Sequence, residues 1–119
     1  MTSTTITARA VVAGLHHWPD APERRAYLAE PHRHEFHFSA CVRVGHNERD
    51  VEFHDLGDLI EASAREYGEV FHPDALLVDF GAASCETLAH HVYGCLVGRG
   101  LSVVWVEVSE DGQFSARVG

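Results

Sequence analysis

Hydrophobic and polar positions divide the chain into strand-like and helix-like stretches. Thr4 to His16 reads as a strand, since Thr5, Ile6, Val11 and Val12 favour extended backbone and no helix cap is in sight. Trp18 to Pro31 is interrupted by Pro19, Pro22 and Pro31 and reads as a long irregular connection, of the kind that often carries function. His32 to Val44 is strand again, Gly45-His46-Asn47 supplies a turn, and Val51 to Phe53 is expected to return as a short antiparallel partner. A helix follows, capped by Asp55, with Leu56, Leu59, Ile60, Ala64 and Tyr67 on one face and Gly68 at its end.

The next stretch, through His72 and Pro73, is a connection leading to Ser84, a good cap for a second helix. That helix has Leu88, Val92, Cys95 and Leu96 on its apolar face and stops at Gly98 and Gly100. Leu101 to Val108 is a buried strand, and Asp111-Gly112 turns it into a last strand, Phe114 to Val118. The order ββααββ predicts an α+β fold, a four-stranded antiparallel sheet with two helices on one face, and residues 1–119 read as a single domain.

Composition narrows the function. A net charge of −9 argues against nucleic acid, whose phosphates reward clustered basic residues. No apolar run approaches the roughly 20 residues that span a bilayer, and the Thr-rich start is not a signal peptide, so the expectation is a cytoplasmic protein without a membrane partner. Three widely spaced cysteines, Cys41, Cys85 and Cys95, form neither a CxxC motif nor a convincing disulfide framework. Ten histidines are the oddity.

Of these, His32 and His34 are two apart on a predicted strand, so their side chains leave the same face. A divalent metal needs neutral imidazoles converging at about 2.0–2.1 Å, and the end of the first strand, at His16-His17, is the natural source of a third. Three histidines with a vacant fourth position describe a catalytic zinc centre. The spacing alone is a weak signal, because most His-x-His pairs on strands are surface residues.

Taken in order, several short motifs resemble the 6-pyruvoyl-tetrahydropterin and 6-carboxytetrahydropterin synthases. His16-His17-Trp18-Pro19 resembles that family's His-Arg-Leu-Pro, and His32-Arg33-His34-Glu35-Phe36 its His-Gly-His-Asn-Tyr. Asp55-Leu56-Gly57-Asp58-Leu59-Ile60 is similar to Asp-Phe-Gly-Asp-Leu-Lys, Ala83 to Ala89 to Pro-Thr-Ala-Glu-Asn-Leu-Ala, and Val106-Glu107-Val108 to Val-Glu-Thr. The resemblance implies a T-fold, zinc held by His16, His32 and His34 (with His17 as the alternate to His16), and homo-oligomers with sites between subunits. It implies that Glu107 holds the guanidine-like edge of a pterin and that Ser84, Cys85 and Glu86 form the turn against the ring.

The chain also departs from that pattern. The family's cysteine before His-Gly-His has no counterpart between His17 and His32, and Phe71 stands where an aspartate would orient a histidine matching His72. Asp74 is the other residue able to orient His72. His72 and Glu30 are therefore the candidate catalytic residues, with Tyr27 a third; Arg24, Arg25 and Arg33 could meet a triphosphate. The resemblance implies a zinc-dependent lyase acting on dihydroneopterin triphosphate or a related pterin. The alternative is a pterin- or purine-binding relative that has lost the synthase reaction.

Overall fold

The computed structural model describes residues 2–72 and 77–119, and of residues 70–72 the backbone. Its elements are β1 (Thr4–His16), an irregular 3₁₀ segment (Glu23–Ala29), β2 (His32–Val44), α1 (Phe53–Tyr67), β3 (Glu69–His72), β4 (Leu77–Asp79), α2 (Cys85–Gly98), β5 (Ser102–Glu110) and β6 (Phe114–Val118). Among the described residues six strands form one sheet, in the order β3-β4-β1-β2-β5-β6. All pairings are antiparallel except β1 with β4, which run parallel.

The α+β class and the two covering helices agree with the sequence pattern; the strand count differs. Val51 to Phe53 is no strand. Glu52 caps α1 instead, its carboxylate accepting from the backbone N–H groups of His54 and Asp55, and Phe53 is already helical. The expected cap, Asp55, lies within the first turn. The connection after α1 holds the two extra strands, too short to give a periodic signal and joined to β1 only by a non-local contact. Pro73 and Asp74 lie outside the described residues.

Packing follows from two periodicities. On α1, Leu56, Ile60 and Ala64 recur every four residues and are buried; on α2, Leu88, Val92 and Leu96 do the same. They meet Val12, Phe36, Phe38, Val106 and Val108, which alternate along the strands onto the same sheet face. Each fully buried large apolar side chain contributes about 1.5–3 kcal/mol. The core therefore runs the length of β1, β2 and β5 and ends, near the start of β2, under the histidines.

At that end Gly14 has a specific role. A Cβ there would lie 2.6 Å from Phe80 and 3.0 Å from Phe36, so the missing side chain is what lets both rings pack against β1. Phe36 and Phe80 meet edge to face at 5.1 Å and form the floor of the site.

Candidate metal centre

The β1–β2 register sets His16 opposite His32 and Gly14 opposite His34. Even-numbered positions of β1 face the core, so His16 points inward, whereas His17 has left the strand. The three rings of His16, His32 and His34 form a near-equilateral cluster, with centroids 4.6, 5.2 and 5.0 Å apart. One ligand nitrogen from each lies within 4.8 Å of the other two. Phe36 backs the cluster, 5.1 Å from His16 and 5.7 Å from His34.

Every Nδ1 in the cluster is already engaged. His16 Nδ1 donates to the Ala83 carbonyl at 3.0 Å, His32 Nδ1 to the Glu30 carbonyl at 2.9 Å, and His34 Nδ1 to Asp111 Oδ2 at 2.7 Å. Such partners fix the tautomer that leaves Nε2 unprotonated as a lone-pair donor. His16 Nε2 is buried, and although it lies 3.2 Å from Glu110 Oε1 it is off the line of a hydrogen bond and has no hydrogen-bond partner among the described residues. A buried nitrogen left in this state is what a bound cation satisfies. Burial, chiefly, holds the His16 imidazole below its ordinary pKa, with the neighbouring His32 and His34 adding to the effect and the Ala83 carbonyl and Glu110 opposing it. A neutral ring is the form that binds metal. The three-nitrogen donor set thus fits a divalent ion such as zinc.

Glu110 stands against the cluster, Oε1 3.2 Å from His16 Nε2 and Oε2 3.6 Å from His34 Nε2, and beside them lies a cavity of about 520 Å³ lined by His16, His32, Ser84, Cys85, Glu86 and Glu110, among others. Ser84 caps α2, its Oγ accepting from the Thr87 N–H at 3.2 Å, and Glu86 lies in the first turn. Cys85 is buried, its Sγ 3.7 Å from Glu110 Oε1. Burial pushes its thiol up to about 12, and Glu110 and Glu86 push the same way, so it stays protonated near neutral pH.

Other expected residues fall elsewhere. Glu107 is on the helix-free face of the sheet, 3.2 Å from Arg117, which stacks 3.9 Å over Trp105; it does not line the cavity. The carboxylate of β5 that does line the cavity is Glu110, which pairs with Phe36 in the β2–β5 register and shares the core face with Val106 and Val108. Glu30 offers its carbonyl to His32, while the residue itself is exposed. His72 ends β3, paired with Leu77 through the backbone. Asp111, unassigned from sequence, is tied in twice, through His34 and by accepting from the Glu35 N–H at 2.8 Å. These two bonds, that to His34 the larger cause, hold its carboxyl below the usual range.

The fold has structural relatives among solved proteins. No family model matches the chain, and no curated protein does. Among solved structures, 6-pyruvoyl tetrahydropterin synthase from Plasmodium falciparum is 13% identical, with TM-score 0.64 over 99% of this chain and 98% of that one. The Caenorhabditis elegans synthase is 12% identical, with TM-score 0.60 over 99% and 96%. A Plasmodium vivax synthase in which a catalytic glutamate is replaced by alanine is 14% identical, with TM-score 0.58 over 99% and 98%. The chain has the T-fold of these enzymes. No helix among the described residues is long and apolar enough to cross a membrane.

Proposed function

We propose that the protein is a metal-dependent, pterin synthase-like lyase whose substrate is dihydroneopterin triphosphate or a related pterin. The observation that carries this reading is the convergence of His16, His32 and His34, each with Nδ1 engaged, beside a cavity that His16 and His32 line together with Glu110 and the Ser84–Glu86 turn. A divalent metal, zinc by donor type, would there polarise an oxygen of the bound molecule and acidify the adjacent C–H.

The protein's own groups supply the rest. Glu110, rather than Glu107, offers a carboxylate inside the cavity that can accept two parallel hydrogen bonds from a guanidine-like ring edge. Ser84, Cys85 and Glu86 form the wall beside it. Glu30 and His72 are the groups assigned to proton movement. For Glu30, support comes from its backbone tie to His32 and from the catalytic glutamate of the Plasmodium vivax synthase. Trp18 and Phe114 line the cavity while remaining 47% and 63% exposed, which suits a site closed by another copy of the chain in a homo-oligomer.

One observation favours a second reading, a pterin-binding protein without turnover. No cysteine lies between His17 and His32, where the resembled synthases carry their proton-transferring cysteine, and the thiol that does line the cavity, Cys85, is buried on the wall-forming turn at the start of α2. Metal content, ligand titration and turnover on dihydroneopterin triphosphate separate the two. The lyase reading expects about one central metal per chain and turnover that His32→Ala abolishes. Tight pterin binding with no product supports the second reading; neither binding nor turnover on any pterin sinks both.

A further inference from the structure

A second cluster of metal-ligating groups lies between the helices, on side chains that take no part in the cavity. Glu66 on α1 and His91 and Cys95 on α2 bring a carboxylate oxygen, an imidazole nitrogen and a thiol sulfur within 4.8 Å of one another. We propose that these three residues bind a divalent metal of zinc-like softness and so join α1 to α2.

The placement follows from helix geometry. His91 and Cys95 are four residues apart and stand on one face of α2. Cys95 Sγ lies 3.5 Å from His91 Nε2. Zinc bonded to nitrogen at about 2.05 Å and to sulfur at about 2.3 Å in tetrahedral geometry sets those two atoms about 3.6 Å apart, close to their present separation, so the adjustment that binding requires is a turn of the His91 ring that takes Nε2 off the Ser63 carbonyl. The His91 ring is held at two points by α1, packing edge-on against Tyr67 at 5.1 Å and placing Nε2 3.0 Å from the Ser63 carbonyl. Glu66, between these two residues on α1, supplies the third arm from the other helix.

Metal-free, the ring keeps its proton on Nε2, donating to the Ser63 carbonyl, and Cys95 is a free thiol. On binding, Nε2 and Sγ each exchange a proton for the metal; the ring takes the Nδ1–H tautomer and the thiol proton goes to solvent. Neither group is oxidised or reduced. The Ser63 hydrogen bond is lost in the exchange, so this site binds more weakly than the central one. A fourth position stays open to water.

Sulfur distinguishes the two sites. Cobalt(II) added to full-length protein should give a thiolate-to-cobalt charge-transfer band in the near ultraviolet, which a three-histidine centre cannot produce. The band should persist in His32→Ala and in Cys85→Ser and vanish in Cys95→Ser, with total metal falling from about two to about one per chain. His91→Gln should weaken binding at least as much as the roughly tenfold cost of losing an outer-shell partner. Alkylation of Cys95 in the unmutated protein should be slowed by zinc, a readout that does not depend on any variant folding. Absence of the band from the unmutated protein, or its survival in Cys95→Ser, overturns the site. Either result leaves the lyase reading untouched.

Discussion

Asp111 and His34 are 77 positions apart, yet the Asp111 Oδ2 and the His34 Nδ1 meet at 2.7 Å. The contact depends on the β5–β6 turn, where Asp111 adopts a positive φ of 55° and Gly112 one of 71°. That conformation aims one carboxylate oxygen at His34 and the other at the Glu35 N–H. The turn therefore acts on the three-histidine cluster, fixing which His34 nitrogen is free.

Asp111→Asn keeps a hydrogen-bond acceptor for His34 but removes the charge, and Asp111→Ala removes both. Central metal affinity should fall by about 10- to 100-fold in the alanine variant, and by less in the asparagine variant. Competition with a chromophoric chelator measures this, with His32→Ala as the reference for a broken site. Unchanged affinity in both variants would show that the turn does not support the centre.

The two glutamates of β5 make a sharper comparison. Glu110→Gln should remove most pterin affinity, since an amide cannot accept two parallel hydrogen bonds. Glu107→Gln should leave binding intact and cost at most about 1 kcal/mol of stability, its partner being the surface Arg117. Calorimetric titration of a stable pterin into each variant tests this. The opposite pattern would return the binding role to Glu107.

How much of this was legible beforehand depended on the kind of signal. His32 and His34 share a face because strand side chains alternate, and pairing the first two strands brings His16 to them. Which β5 glutamate faces the core is not legible in the sequence, because Val103-Val104-Trp105-Val106 is apolar on both faces, and period two cannot tell which parity is the core. Only the neighbours decide it: Val106, Val108 and Glu110 meet α2, while Trp105 and Glu107 meet Arg117. Asp111 carried a turn signal and no hint of its reach to His34. The β3–β4 pair was hidden because its contact with β1 bridges the whole of α1.

His16 gives the centre a pH dependence. Its folded-state pKa is lowered, mainly by burial, so the unfolded chain binds the proton more readily. The stability associated with neutral His16 is present above the ordinary value near 6.5 and is lost as pH falls from there toward the lowered one. Urea titrations of metal-free protein should show stability declining from pH 7 to pH 5, with a shallower decline in His16→Gln. Metal should be released over the same range, because protons compete for Nε2. A His16→Gln profile parallel to that of the unmutated protein would remove His16 from the account.

Gly14 tests whether the aromatic floor and the histidines act together. Gly14→Ala places a methyl 2.6 Å from Phe80 and 3.0 Å from Phe36, distances at which a ring must move. Forcing a packed core to accept one extra carbon costs about 1–3 kcal/mol, read as a lowered urea midpoint at constant m-value. Phe36 contacts both His16 and His34, so a displaced ring should also loosen central metal binding. The helix–helix site of Glu66, His91 and Cys95 uses other elements and should keep its cobalt–thiolate band in the same variant. Loss of stability with unchanged central metal affinity would mean that the floor supports the fold alone and that the hydrogen bonds to Ala83, Glu30 and Asp111 suffice to orient the three rings.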